Sequence, residues 1–274
     1  MKNLVIKLEI NGKLEIADIH LPESWNEVPA ADYPHLASLY MATDKKMSEH
    51  DKFVRAFVLL TWHHWRVIEQ LLPEEMYELV KLVEWVFNQL DLTVNHQPEI
   101  KIGKQVLIGP ADGMENLRFA EWCTANTYAQ NVPEDETLES MRGLAACLYR
   151  PAGEGNEYKP GHATYRGDRR EKFNEQLVDS RMAMLEKLDA PTLQGIYVWF
   201  CSCRYQLFAP YEKLKQPADG GEANGSWLDV YDDLRGDPKF GGPEKLEDDW
   251  LTYILFSLDR NKDKMDQLKS QYDI

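Results

Sequence analysis

The sequence has few of the features that identify a compartment or a membrane. Its four cysteines, Cys123, Cys147, Cys201 and Cys203, have neither the spacing of a zinc site nor that of a secreted disulfide framework. No stretch approaches 18 uninterrupted apolar residues, and residues 1–19 contain neither the apolar run of a signal peptide nor an Arg-rich transit pattern. We therefore expect reduced thiols, a cytoplasmic location and no contact with a membrane.

Basic residues are also scarce. The 31 Lys and Arg residues are outnumbered by 46 Asp and Glu, which gives a net charge of −15. Binding to nucleic acid depends on clustered Lys and Arg, so this balance argues against a nucleic-acid partner. The one local cluster, Arg166, Arg169 and Arg170, is diluted by Asp168 and Glu171.

Motifs for catalysis, cofactors and metals are missing. His63 and His64 point about 100° apart on a helix and cannot share one metal ion, because only residues three or four apart share a helix face. Cys201 and Cys203 lack the two-residue gap of redox and zinc motifs. No GxSxG, GxGxxG or P-loop pattern occurs, and the paired carboxylates are typical of a solvated acidic surface. The residues predict no catalytic group, no metal site and no cofactor.

The remaining composition, 43% hydrophobic and 28% charged over 274 residues, is that of a globular chain with a substantial core. Residues 115–151 have one apolar stripe before an acidic break and a second one after it. The stripes predict two helices, the second starting at Val132-Pro133 because proline and carboxylates favour a helix start.

The pattern elsewhere predicts the fold class. Residues 2–19 alternate and break at Asn11-Gly12, which predicts a hairpin with strands near 3–10 and 13–19. A second short hairpin, near 99–108, turns at Gly103-Lys104. Helical spacing predicts further helices at 30–41, at 48–70 with Ser48 as N-cap, at 74–90 opened by Pro73, at 169–189, at 192–209, and two beyond residue 226. We expect a mainly α, bundle-like fold with two short β-hairpins.

A shift of 88 positions aligns the two hairpins and the helices that follow, placing Leu14 on Ile102 and Tyr40 on Tyr128. This indicates a pseudo-repeat. We predict three domains, namely 1–97 as the first repeat, 98–214 as the second with a long loop at 152–168, and 227–274 as a helical segment after a Gly-rich linker at 215–226.

Aromatic residues are abundant, with eight Trp and thirteen Tyr. Large core residues and anchors of a partner surface both explain this number, since interfaces are enriched in Trp and Tyr. Trp25, Trp62 and Trp250 are candidates for such anchors.

Three segments together carry a resemblance. LPESWNEV (21–28) follows the first hairpin, ENLRFAEWCTANTY is followed by a helix ending in LAACLYRP, and WLDVYDDLRGDPKF precedes EDDWLTYILFSL near the end. Their order resembles the tail assembly proteins of tailed bacteriophages that infect Bacteroidetes-type hosts, often described as tail assembly chaperones. The similarity extends over nearly the whole chain.

The resemblance implies a non-enzymatic role in the host cytoplasm, in which the protein keeps the long helical tape-measure protein soluble while the tail tube polymerises around it. The contact residues that we predict are Tyr40, Trp62, Trp65, Trp122, Tyr128 and Tyr149. Two alternatives stay open: a structural virion component such as a connector, completion or cargo protein, and an enzyme or nucleotide-binding regulator. Formation of a homo-oligomer is also left open.

Overall fold

The computed structural model describes residues 1–42, 47–135, 137–211, 227–260 and 270. They are mainly helical with two antiparallel two-stranded sheets, which confirms the predicted fold class. The chain divides into two compact units, Met1–Leu92 with Ala190–Val198, and Thr93–Asp189 with Trp199–Ile274. The domain boundaries and the pseudo-repeat stay predictions, and the linker at 215–226 lies outside the described residues.

The first unit begins with a β-hairpin that is followed by short helices. Its elements are β1 (Lys2–Ile10), β2 (Lys13–Leu21), α1 (Tyr33–Met41), α2 (Glu49–Thr61), α3 (Trp65–Ile68), α4 (Pro73–Val80), α5 (Trp85–Asn88) and the first residues of α9 (Ala190–Phe208). Asn11 and Gly12 both have positive φ, +53° and +73°, as a type I′ turn requires, so the predicted hairpin is confirmed.

The start of α2 follows the predicted pattern. Ser48 Oγ accepts a hydrogen bond from the Asp51 backbone N–H at 3.1 Å, and the Asp51 carboxylate accepts one from the Ser48 N–H at 3.3 Å. The predicted single helix over 48–70 is interrupted, because a 3₁₀ turn at Trp62–His64 separates α2 from α3. The helix predicted over 74–90 is likewise divided by a 3₁₀ turn at Lys81–Val83.

Trp25 lies at the centre of the first unit. It is fully buried and makes edge-to-face contacts with Tyr33, Tyr40 and Trp85 at centroid distances of 6.2, 5.6 and 6.0 Å. Such contacts add to the stabilisation from apolar burial. The expectation that Trp25 anchors a partner surface is therefore wrong.

The second unit contains the other hairpin and the remaining helices. Its elements are β3 (Glu99–Ile102), β4 (Gln105–Ile108), α6 (Phe119–Asn131), α7 (Glu139–Leu148), α8 (Val178–Leu185), the end of α9, α10 (Trp227–Arg235), α11 (Pro243–Asp248) and α12 (Leu251–Arg260). Helix α6 is central to this unit and contacts α7, α10, α11 and α12. Its Trp122 is fully buried, with ring centroids 4.8 Å from Trp227 and 5.5 Å from Phe208.

Two predicted helix starts in this unit are wrong. Val132–Glu134 forms a separate 3₁₀ turn, and α7 begins only at Glu139. The Asp135 carboxylate explains the later start, because it accepts hydrogen bonds from the Thr137 and Ser140 backbone N–H groups.

The helix predicted from 169 begins at Val178. The start is displaced because the chain at 169–171 runs antiparallel to residues 151–153. The Gly153 N–H donates to the Arg169 carbonyl and the Glu171 N–H to the Pro151 carbonyl, both at 2.9 Å.

None of the four cysteines forms a disulfide. Among the described helices, no segment combines the length and the apolar character that crossing a membrane requires.

Candidate functional site

An exposed apolar stripe lies on α2, on the 3₁₀ turn at Trp62–His64 and on α3. Val58, Trp62 and Trp65 are 40%, 52% and 53% exposed, and we refer to these three residues as the aromatic stripe. The same face continues through exposed Arg55 on one side and exposed Glu69 on the other. Exposed apolar surface is a feature of many interaction sites, so the aromatic stripe is the candidate surface of the first unit.

The stripe exists because this segment is apolar on two faces. Ala56, Phe57, Leu60 and Val67 occupy the buried face, which packs into the core of the first unit. The exposed positions 55, 58, 62, 65 and 69 recur at alternating spacings of three and four residues. This spacing averages 3.5 residues, the period of a coiled-coil seam, although here it runs across the 3₁₀ turn at Trp62–His64 and not along one continuous α-helix.

The charge around the stripe differs from that of the whole chain. Residues 52–68 contain Lys52, Arg55 and Arg66 and no carboxylate, in a chain whose net charge is −15. The Arg66 guanidinium carbon lies 5.9 Å from the Trp65 ring centroid, within cation–π range.

The predicted contact residues are not brought together. Trp62 and Trp65 lie on the aromatic stripe, and their role in binding stays a prediction. Tyr40 is half-buried at the edge of the first core, where its ring lies 6.5 Å from that of Phe87. Tyr128 is half-buried on α6, in the second unit.

Trp122 and Tyr149 are corrected as contact residues, because both are fully buried. The Tyr149 hydroxyl donates a hydrogen bond to the Gln97 carbonyl at 2.8 Å, and burial raises the pKa of this phenol. Trp250 is half-buried and lies beneath the Arg118 guanidinium, with 3.3 Å from Cζ to the ring centroid. The role of Trp250 as a partner anchor stays a prediction.

A buried ionic cluster is the main polar feature of the second unit. It consists of Glu121 on α6, Arg150 directly after α7, and Asp168 and Arg170 at the end of the loop. Arg170 Nη1 lies 2.7 Å from Glu121 Oε1, and its Nη2 lies 2.8 Å from Asp168 Oδ2. Arg150 Nη2 lies 3.0 Å from Glu121 Oε2. Two guanidinium groups thus balance two carboxylates inside the core.

The two arginines differ in how well they are satisfied. Arg170 also donates to the carbonyl oxygens of Leu148 and Asn116, at 2.8 and 3.0 Å. Burial works to lower its pKa, but Glu121 and Asp168 together raise it above the ordinary value. Arg150 has no hydrogen-bond partner at Nε or Nη1, and burial lowers its pKa to about 10. Neither arginine changes its charge near neutral pH, so both are fixed positive charges inside the core.

The cluster fixes the base of the loop at 152–168. Asp168 and Arg170 are its last anchored residues, and Arg150 precedes its first. Within the loop, the Arg166 N–H donates to the Glu157 carbonyl at 2.9 Å. The predicted long loop is therefore a closed one whose ends meet, and the Arg166–Arg170 cluster is not a surface patch, because Arg170 is buried.

An open groove of about 470 Å³ lies between α7 and α8. It is lined by Glu139, Arg142, Asp179, Met182, Ala183 and Glu186. In the part of the chain that the structure describes, no three His, Cys, Asp or Glu side chains are grouped so as to hold a metal ion.

Sequence reasoning missed the ionic cluster and part of the stripe. Val58 and Arg55 were detectable, since they precede Trp62 by four and seven positions. The cluster left no such signal, because its members are up to 49 residues apart along the chain.

No protein-family model, curated protein or solved structure matches this chain. The resemblance to tail assembly chaperones therefore stays a prediction from the sequence.

Proposed function

We propose that this protein is a non-enzymatic binding protein that holds a helical segment of another polypeptide on the aromatic stripe. The observation that carries the proposal is the exposure of Val58, Trp62 and Trp65 along α2, the 3₁₀ turn and α3. Following the sequence resemblance, the client is the tape-measure protein of a phage tail, and binding takes place in the host cytoplasm before the tail is complete.

The spacing of the stripe supports a helix as the bound segment. Apolar side chains repeating every 3.5 residues on one helix fit the grooves of another, whereas an extended strand presents side chains at a period of two. Two tryptophans at the centre suit this role, because Trp residues supply a large share of the binding energy at interfaces.

The acidic remainder of the chain supports the same role. With a net charge of −15, the protein and any complex that it forms carry a strong negative charge, which favours solubility, as a protein that keeps an aggregation-prone client in solution needs. The cation-bearing segment 52–68 is an exception in this acidic surface.

The test is co-expression of the tagged chain with the tape-measure protein of the same phage, followed by affinity capture. We expect the client to co-purify with the unaltered protein and to be lost, or reduced at least about tenfold, with Trp62→Ala/Trp65→Ala, as for interface hot spots. The matched control is Tyr205→Ala, which removes an aromatic side chain that is 78% exposed elsewhere. Equal capture by all three proteins overturns the proposed surface.

Analysis of purified virions distinguishes the assembly chaperone from the structural virion component. An assembly chaperone is left out of them. Stoichiometric presence of this chain in virions would instead establish the structural alternative, a connector, completion or cargo protein.

A further inference from the structure

The β1–β2 hairpin leaves a strand edge and an apolar face in solvent. In the described residues, β1 pairs only with β2, so its outer edge has no strand beside it. Val5, Leu14 and Ile16 on the outward face are 53%, 66% and 57% exposed. An unpaired edge that carries apolar side chains is a template for pairing with another strand.

The charges of the hairpin favour a second copy of the same chain as that partner. Residues 2–21 contain three lysines and three carboxylates, so this segment is neutral in a chain of net charge −15. The net charge opposes association of two copies, and a contact through the neutral hairpin adds no further repulsion between like net charges.

The outward amides of β1 are fixed by the turn. A two-residue turn makes Ile10 and Lys13 a hydrogen-bonded pair, and bonded and non-bonded pairs alternate along the hairpin. The backbone N–H and C=O groups of Val5, Lys7 and Glu9 therefore point away from β2. An added strand would bind those of these groups that have a strand residue of the added chain opposite them.

We infer that two copies of this chain pair antiparallel through the outer edges of β1, with Lys7 of each copy opposite Glu9 of the other. The two hairpins then form one four-stranded sheet with Leu8 on the two-fold axis. This inference is independent of the proposed client surface.

Charge complementarity selects this register from its neighbours. Opposite charges directly across a strand pair stabilise it, and like charges destabilise it. A shift by one pairing step in one direction places Lys7 opposite Lys7, and in the other direction it places Glu9 opposite Glu9. The outer edge of β2 offers no equivalent pairing, because its outward residues Leu14, Ile16, Asp18 and His20 include no lysine or arginine.

The experiment is sedimentation velocity of the full chain and its variants over a range of concentrations. We expect the unaltered protein to dimerise reversibly. Lys7→Glu and Glu9→Lys each place two like-charge pairs in the dimer and should weaken it at least about tenfold. The double variant Lys7→Glu/Glu9→Lys exchanges the charges and should restore the dimer.

A mixture of the two single variants tests the pairing of Lys7 with Glu9 most directly. Lys7→Glu chains carry two glutamates at these positions and Glu9→Lys chains carry two lysines, so an equimolar mixture should form heterodimers at concentrations where each variant alone dimerises at least about tenfold more weakly than the unaltered protein. Lys2→Glu, an equal charge change outside the paired segment, should leave the dimer intact. Circular dichroism verifies that each variant is folded.

A protein that is monomeric at every concentration overturns the inference. So does a dimer that tolerates both single variants, or a mixture that stays monomeric.

Discussion

Arg170 and Glu121 form an ion pair that solvent does not reach, with 2.7 Å between Nη1 and Oε1 and both side chains at 0% exposure. The pair joins the central helix α6 to the end of the loop at 152–168. Replacing buried ion pairs by apolar residues is often neutral, but removing one partner leaves a buried charge without compensation. Removing one charged member of the cluster should therefore lower the stability of the second unit.

Glu121→Gln should lower the free energy of unfolding by about 3–5 kcal/mol, because Arg150 and Arg170 then share a single carboxylate. Urea unfolding measures the change. The control is Asp232→Asn, which breaks an exposed pair with Arg235 and should change stability by less than about 1 kcal/mol. A loss at Glu121 no larger than at Asp232 would contradict the buried network.

Replacement of the two buried arginines should lower the free energy of unfolding by different amounts. Arg170→Met removes the main partner of both carboxylates and should destabilise by about 3–5 kcal/mol. Arg150→Met should cost about 1–3 kcal/mol, because the substitution also removes two buried donors, Nε and Nη1, that have no partner. Unfolding curves of the two variants under the same conditions give the ranking, and the reverse order would refute this account.

Gly143→Ala should destabilise the protein although Gly143 lies inside α7, where alanine normally adds about 0.5–1 kcal/mol. A Cβ at this position would overlap the ring of Tyr128, and overpacking of this kind costs about 1–3 kcal/mol. Thermal unfolding of the variant and the unaltered protein measures whether the substitution lowers or raises stability.

Gly236→Ala is the control for this substitution, since the nearest atom to its added Cβ would be 3.8 Å away. If Gly143→Ala proves stabilising, Tyr128 does not pack against α7 as described.

Asp135 should make stability depend on acid pH. Hydrogen bonds from the Thr137 hydroxyl, and then from the Ser140 and Thr137 backbone N–H groups, hold the pKa of Asp135 well below its ordinary value. Because the folded pKa lies below the unfolded one of about 3.9, the stabilisation is present above pH 4 and is lost as the pH falls through the folded pKa.

Asp135→Ala should therefore cost about 1 kcal/mol at pH 7, as the loss of a capping side chain does, and progressively less below pH 4. Urea unfolding of both proteins at several pH values measures the difference. A cost that does not change with pH would show that the carboxylate is not held in its charged form.

Substitutions of tryptophan should separate surface from core. Trp62→Ala and Trp65→Ala should each change stability by less than about 1 kcal/mol, because half of each side chain is already in solvent. Trp122→Ala should cost about 3–5 kcal/mol, since this ring is fully buried. Equal costs at Trp62 and Trp122 would mean that the aromatic stripe is part of a core.

Local signals in the sequence predicted the elements whose cause is local. The turn at Asn11-Gly12 and the cap at Ser48 were predictable because a few neighbouring residues fix the backbone there. The helices predicted to start at 132 and 169 begin instead at Glu139 and Val178, since the competing hydrogen bonds of Asp135 and of the strand-like segment at 169–171 are not visible as periodicity. The candidate site was predictable only in part, through Trp62 and Trp65.

The sequence by itself determined the fold class, both hairpins and the acidic surface, because short-range backbone preferences and the count of charges depend on no distant contact. Only the tertiary structure decided which aromatic side chains face solvent. Trp62 and Trp122 both lie in apolar helical segments, and what distinguishes them is whether another element covers that face. The same holds for Glu121, Arg150, Asp168 and Arg170, since charged residues enter a core only where folding brings their partners together.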